Sequence, residues 1–383
     1  MKFCMTAVAV GMFAAIVTAA AASETGATAP VAPRLLSQTG LYSDAATLKI
    51  DARNRTFSPQ YPLWSDGATK RRWVQLPIGS QINVADLAKW QLPVGTKFWK
   101  EFSFNDRKVE TRFLWQTGKD RWVFASYAWN DAQTNAELAS ESGIADISDI
   151  TDGKRHSIPS VTECRSCHDS NRTEILGFNA LQLSPDRDPN ALHGEPLTPE
   201  MVTLSTLVDE NLITPRRTEL IATPPRIAAS SPQTRTALGY LSTNCGSCHN
   251  RESSIAKLGL ILKDPVENTR RDEPSSSSTA ECSAAIATTV GQRGHWVVPE
   301  APEQSRMINP GHPESSAIIR RVKSRRPISQ MPPIGSVIAD REAVDLLTSW
   351  VQGNAEEWQH LMARCATKAS PQISPISQIQ TRH

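Results

Sequence analysis

The sequence predicts an α+β chain in two parts. An N-terminal antiparallel β-rich domain ends in a C-x-x-C-H motif, and an all-α domain carrying a second copy follows it. Three observations lead there. Seven of the ten tryptophans crowd between Trp64 and Trp129, in runs whose apolar side chains alternate at period two. Beyond about residue 198, apolar residues recur at helical spacing instead. The two motifs, Cys164-Arg165-Ser166-Cys167-His168 and Cys245-Gly246-Ser247-Cys248-His249, punctuate these regimes.

Residues 1–22 read as a secretory signal peptide. Lys2 is its basic head, Thr6 to Ala22 its apolar run, and Ala20-Ala21-Ala22 before Ser23 its small-residue cleavage site. Cys4 falls inside it. No later stretch approaches the roughly 20 apolar residues that span a bilayer, so no transmembrane segment is expected after cleavage. Residues 23–45 read as a flexible leader, rich in Ala, Thr and Pro as far as Gln38. Lys+Arg (41) and Asp+Glu (39) nearly balance, and no basic stripe interleaved with aromatics points to nucleic acid.

The β-rich domain is expected over 46–215. Strands are read at Lys97–Phe104, Lys108–Gln116 and Arg121–Asn130, with turns at Asn105-Asp106-Arg107 and Thr117-Gly118-Lys119-Asp120. Asp131–Ser140 reads as a short helix and Glu141–Ser160 as irregular chain. Thr198 and Pro199 read as N-cap and first position of a helix whose stripe is Met201, Leu204, Leu207, Val208 and Leu212. Pro215, Pro224, Pro225 and Pro232 mark a linker over 216–232.

The second domain is expected over 233–368. A helix at Gln233–Asn244 delivers the second motif, and Lys263–Gln304, with Ser275–Ser278, reads as a polar surface insertion. The loop Ser329-Gln330-Met331-Pro332-Pro333 precedes a helix capped by Asp340, with Val344, Leu347, Trp350 and Val351 on one face and Gly353 at its end. A further helix runs from Asn354 to about Lys368, and 369–383 reads as a disordered tail.

C-x-x-C-H is the attachment signal for c-type haem. Two thiols add across the vinyl groups of one haem, and the following imidazole binds iron on the proximal side. Two copies predict two covalently bound haem c groups, attached at Cys164, Cys167, Cys245 and Cys248, with His168 and His249 as axial ligands. Zinc ribbons usually separate their pairs by roughly 15–20 residues; here 77 lie between Cys167 and Cys245 (245 − 167 − 1). Thioredoxin-like chemistry and structural disulfides leave both histidines unexplained. Cys282 and Cys365 are the spare pair, and an oxidising compartment permits a bond between them; sequence alone leaves it open.

Electron-transfer haems often carry Met or His as sixth ligand. For the second haem the candidate is Met331, 82 residues after His249 (331 − 249) and stiffened by two prolines, with Met307 next in line. Arg235–Asn244, Met331-Pro332-Pro333 and Asp340–Trp350 resemble the three parts of a class I cytochrome c domain: motif helix, Met loop and C-terminal helix. That resemblance implies a class I cytochrome c-like domain over 233–368. For the first haem, His156, His193 and Met201 are within reach and no distal ligand stands out.

The whole chain resembles a family of bacterial dihaem c-type cytochromes. It does so at Leu63-Trp64-Ser65-Asp66-Gly67-Ala68, Lys70, Pro93-Val94-Gly95-Thr96, Lys100, Glu110-Thr111-Arg112, Tyr127-Ala128-Trp129-Asn130, and Pro159-Ser160 before Glu163-Cys164. The resemblance implies haem binding and electron transfer, and no established substrate. The N-terminal part, at Gly95-Thr96 and Lys100-Glu101, also resembles the cytochrome P460 and c′-β group, where the distal site can stay open and a sheet lysine can bond to the haem edge; Lys100 would be that lysine.

The function expected is periplasmic single-electron transfer by an electron carrier rather than an enzyme, with a redox partner protein such as a dehydrogenase or another cytochrome. The alternative is a haem enzyme or a sensor of peroxide, NO or CO, using an open distal site on the first haem. No G-x-G-x-x-G fingerprint in a βαβ context is present, so an organic oxidation would occur on a partner.

Overall fold

The computed structural model describes residues 30–150, 153–169, 175–263, 282–353 and 355–369. The signal peptide, the Ser275–Ser278 run and the tail from 370 lie outside the described residues.

The framework is a six-stranded antiparallel sheet. In chain order the strands of the protein are β1 (Tyr42–Asp44), β2 (Lys49–Ile50), β3 (Arg55–Thr56), β4 (Thr69–Gln75), β5 (Ile82–Asn83), β6 (Lys97–Phe104), β7 (Arg107–Gly118), β8 (Arg121–Trp129), β9 (Ala136–Leu138), β10 (Ile144–Asp149), β11 (Arg155–Ile158) and β12 (Ile213–Thr214). The main sheet runs β3-β4-β6-β7-β8-β9; β1 pairs with β2, β10 with β11, and β12 lies parallel to β5. The expected meander is its centre. Asn105 and Asp106 both take positive φ, as a two-residue hairpin turn between β6 and β7 requires.

Period-two alternation gives the sheet two buried faces. Trp73, Trp99, Phe113 and Tyr127 form one, closed by Leu36 and Leu41. Val74, Phe98 and Phe124 form the other, under Phe57, Phe178 and Leu183. Residues 35–45, expected as leader, therefore belong to the fold: Leu36 and Leu41 are fully buried, and β1 pairs with β2.

The helices are α1 (Val161–His168), α2 (Leu204–Asp209), α3 (Glu219–Ala222), α4 (Pro232–Asn244), α5 (Ala284–Thr289), α6 (Ala317–Lys323), α7 (Arg341–Gln352) and α8 (Ala355–Ala369). Ser231 caps α4, with Pro232 at its start, and Asp340 caps α7 as expected. Cys282 and Cys365 are disulfide-bonded, their Cα atoms 5.1 Å apart, within the usual range.

The expected all-α class I cytochrome c-like domain over 233–368 is overturned. Its helices are short, from 6 to 15 residues, and are strung along irregular chain. Parallel bridges join Val290 to Ile308 and Arg306 to Ser316. Its core is not its own, because Tyr61 and Leu181 from the β-rich part complete it. The described residues from Ala32 onward form one compact unit. Helical periodicity specifies a face to bury, not what covers it.

Smaller expectations change too. Asp131–Ser140 is no helix: β9 adds to the sheet beside β8. Thr203 rather than Thr198 caps α2, leaving Met201 in a turn before it. The stretch expected as irregular carries β10 and β11. Within Lys263–Gln304, α5 buries Ala285 and Ile286, so the insertion contributes to the core.

Candidate functional site

Helix α1 contains the whole first motif. Ser160 opens it through a capping box: Glu163 N donates to Ser160 Oγ at 3.2 Å, and Ser160 N donates to Glu163 Oε2 at 2.8 Å. Spacing of i, i+3 and i+4 places Cys164, Cys167 and His168 on one helix face. Cys164 packs at the edge of the core that contains Phe124 and Phe98. The His168 ring lies 5.2 Å from that of Phe124, and Arg165 sits over the same ring.

The second motif begins where α4 ends. The His249 and Cys248 amides donate to Cys245 O, at 2.8 and 3.1 Å, winding the motif into a turn. Asn250 Nδ2 clamps it by donating to the carbonyls of Gly246 and Ser247, both at 3.0 Å. Gly246 is required there, because a Cβ would strike Ser242 O and the Lys263 backbone. Helix α4 is itself held against Tyr61, whose ring occupies the space a Cβ on residue 239 would need.

The two motifs meet. The Cys167 and Cys248 thiols are close enough to act on each other; that interaction, then burial, raises Cys167, while the same interaction lowers Cys248. Burial raises Cys164 against the opposing Arg112 charge, and pushes Cys245 up to about 12. None of the four motif cysteines is disulfide-bonded, and all are half-buried.

A buried polar chain ties the motifs to the rest of the protein. Arg112, close enough to act on Cys164 and Cys167, pairs with Glu110 through Nε (2.7 Å) and Nη2 (3.0 Å). Glu110 Oε2 lies 3.3 Å from His156 Nε2, and His156 Nδ1 lies 3.4 Å from Asp66 Oδ2. Asp66 Oδ1 accepts the amides of Val337 (2.8 Å) and Ile338 (3.1 Å), beyond the Met331 loop. Next door, Trp64 N donates to Asn244 Oδ1 at 2.8 Å, just before Cys245, and Trp64 Nε1 donates to Ile338 O at 3.1 Å.

Met331 and His249 share Arg321 as a neighbour. Met331 N donates to Arg321 O at 3.0 Å, while burial and then the Arg321 charge depress His249. Met307 is partly buried against the second core, with its sulfur beside Gly294. Of the first-haem candidates, His156 has both ring nitrogens facing carboxylates. His193 Nε2 lies 2.9 Å from Asp340 Oδ2, its ring against Trp64, and half-buried Met201 sits in the turn before α2.

These residues fit haem attachment. His249 is kept in the neutral form a metal ligand needs, and its buried Nδ1 has no partner among the described residues. The thiols stand in two pairs, each with its own histidine. A zinc site fits less well, because no three Cys, His, Asp or Glu side chains among the described residues are grouped as one. The sequence held every motif residue and singled out Asp66, Glu110 and His156 separately, but did not show that His156 would stand between the two carboxylates.

Among protein-family models, curated proteins and solved structures, none matches this chain.

Proposed function

We propose that this chain is a periplasmic dihaem c-type cytochrome that transfers single electrons, as its resemblance to bacterial dihaem cytochromes implies. The observation that carries the reading is the Cys167–Cys248 contact, which brings together two attachment motifs in one compact unit. Each haem c supplies a one-electron ferric/ferrous couple when bound. Cys164 and Cys167 hold the first and Cys245 and Cys248 the second, each through two thioethers. His168 and His249 would each hold the iron of the haem attached at its own motif, and Met331 would supply a further ligand to the second. Arg112 places positive charge beside the first attachment site, and Asp66 fixes the chain that follows Met331. The redox partner is a periplasmic dehydrogenase or another cytochrome. No described helix is long and apolar enough to cross a membrane.

The test is haem stoichiometry in exported protein. Two haems per chain that stay on the denatured polypeptide are expected, falling to one in Cys245→Ala/Cys248→Ala. Absence of covalent haem from the wild type sinks the reading. The competing reading, an enzyme or sensor of peroxide, NO or CO at the first haem, gains from the engagement of His156 and His193 by carboxylates. Prompt CO binding at the reduced first haem would favour it.

A further inference from the structure

Three cations stand directly opposite one another across the main sheet. Arg72 on β4 pairs in register with Lys100 on β6, and Lys100 with Arg112 on β7. Like charges so placed are destabilising. Arg72 is 6 % exposed, and burial lowers Lys100 well below the ordinary lysine value, with Arg72, Lys70 and Arg112 adding to the effect.

The nearby carboxylates are spoken for. Glu195 Oε2 accepts from Arg72 Nη1 at 2.6 Å and from Ser58 Oγ at 2.8 Å. Glu110 is held by Arg112 and faces His156. Arg72 Nη2 is buried without a partner among the described residues, and Lys100 beside it is half-buried. Lys100 Nζ and Arg112 Cζ both lie over the Phe102 ring, at 4.7 and 4.5 Å, so two charges converge there. Arg112 also acts on Cys164 and Cys167, which puts the row beside the first attachment site.

We propose that Arg72, Lys100 and Arg112 form a carboxylate-binding site for the propionates of the haem carried by Cys164 and Cys167. The proposal rests on the dihaem reading above. The anion offsets the repulsion within the row, and planar guanidinium groups suit a carboxylate. The row in turn raises that haem's potential, because nearby positive charge disfavours the ferric state.

The experiment is redox titration of the two-haem protein, with the first haem assigned from the Cys245→Ala/Cys248→Ala variant. Lys100→Gln is expected to shift the first haem's one-electron equilibrium about tenfold towards ferric, or ~59 mV. The second haem should not move, and Lys100→Arg should restore the wild-type value. If Lys100→Gln loses the first haem while Lys100→Arg keeps it, the requirement for charge stands. If neither variant keeps it, Lys100 is a packing residue and the proposal falls. Unchanged potentials in a fully loaded Lys100→Gln also overturn it. Sodium acetate and sodium nitrite, added to the wild type, should leave the first haem unchanged. A saturable response abolished by Lys100→Gln would assign the site to a free anion and overturn the propionate assignment. A wild type with no haem on Cys164 and Cys167 instead defeats the dihaem reading itself.

Discussion

Asp66 and Val337 are joined by a 2.8 Å hydrogen bond across 271 residues of chain, and the same carboxylate also faces His156. Asp66 is 4 % exposed, so both its oxygens depend on protein partners. One side chain thus couples the sheet below the first motif to the chain beyond Met331. Asp66→Ala leaves two amides and an imidazole nitrogen short of a partner. Each unsatisfied buried group costs about 1–3 kcal/mol. A urea midpoint lowered by at least one such increment is expected, and a wild-type midpoint would show that the bond carries no stability.

Acid and base should act on this chain from opposite sides. Burial alone would lower His156, but hydrogen bonds to Asp66 and Glu110 outweigh it and raise the group above 6.5. Its contribution to stability is full below 6.5 and is lost as pH rises through the raised folded value. Burial alone would raise Glu110, but Arg112 and His156 bring it down to about 2. Its contribution is full above 4.5 and is lost as pH falls towards 2. Urea midpoints should therefore be highest between 4.5 and 6.5. His156→Gln should flatten the alkaline side, and an unchanged alkaline side would remove His156 from the account.

Gly239 is where the second motif's helix meets Tyr61. A methyl group there overlaps the ring, whose hydroxyl donates to Asp188 Oδ2 at 3.2 Å. Gly239→Ala raises helix propensity by about 1 kcal/mol, but overpacking of this kind costs about 1–3 kcal/mol. Net destabilisation is expected in thermal unfolding. Tyr61→Leu in the same chain should restore part of it, and destabilisation that Tyr61→Leu leaves untouched would place the clash elsewhere.

The Cys167–Cys248 contact gives a test that needs no haem. In chain made without haem attachment, a mild thiol oxidant such as diamide should join these two thiols, removing two of the four motif thiols from a thiol count. In protein loaded with two haems the same treatment should leave the motifs unchanged, because their sulfurs are already thioethers. Peptide mapping that finds Cys164 bonded to Cys167 and none between Cys167 and Cys248 would show that the motifs do not meet.

What the sequence displayed was local. Asn105-Asp106 between alternating runs marked the β6–β7 hairpin, and Asp340 a helix start that the structure keeps, whereas Pro232, expected in the linker, is the first residue of α4 under a Ser231 cap. Ser283 before Ala284-Ala285-Ile286 was a comparable signal for α5, masked by the polar residues around it. The relationships that matter for function were not local. Register alone aligns Arg72, Lys100 and Arg112, and a bond spanning 271 residues leaves no trace in periodicity. The class I expectation failed for the same reason. The stripe of α7 is a face to bury, as its spacing indicates, but Tyr61 and Leu181 come from the β-rich part to complete that core.

Met331 should ligate the second haem. Its amide is fixed to Arg321 O at 3.0 Å, and Arg321 acts on His249, so loop and proximal imidazole belong to one neighbourhood. Asp66 holds the same chain six residues further on, at Val337. Replacing the thioether by imidazole in Met331→His should lower the second haem's potential, because thioether ligation favours ferrous iron. The change should be at least tenfold in the one-electron equilibrium, or ~59 mV. The near-infrared charge-transfer band of methionine-ligated ferric haem should vanish from the oxidised protein. The first haem's potential should hold, since its attachment residues lie on α1. A variant that keeps both the band and the wild-type potentials would make Met331 a packing residue.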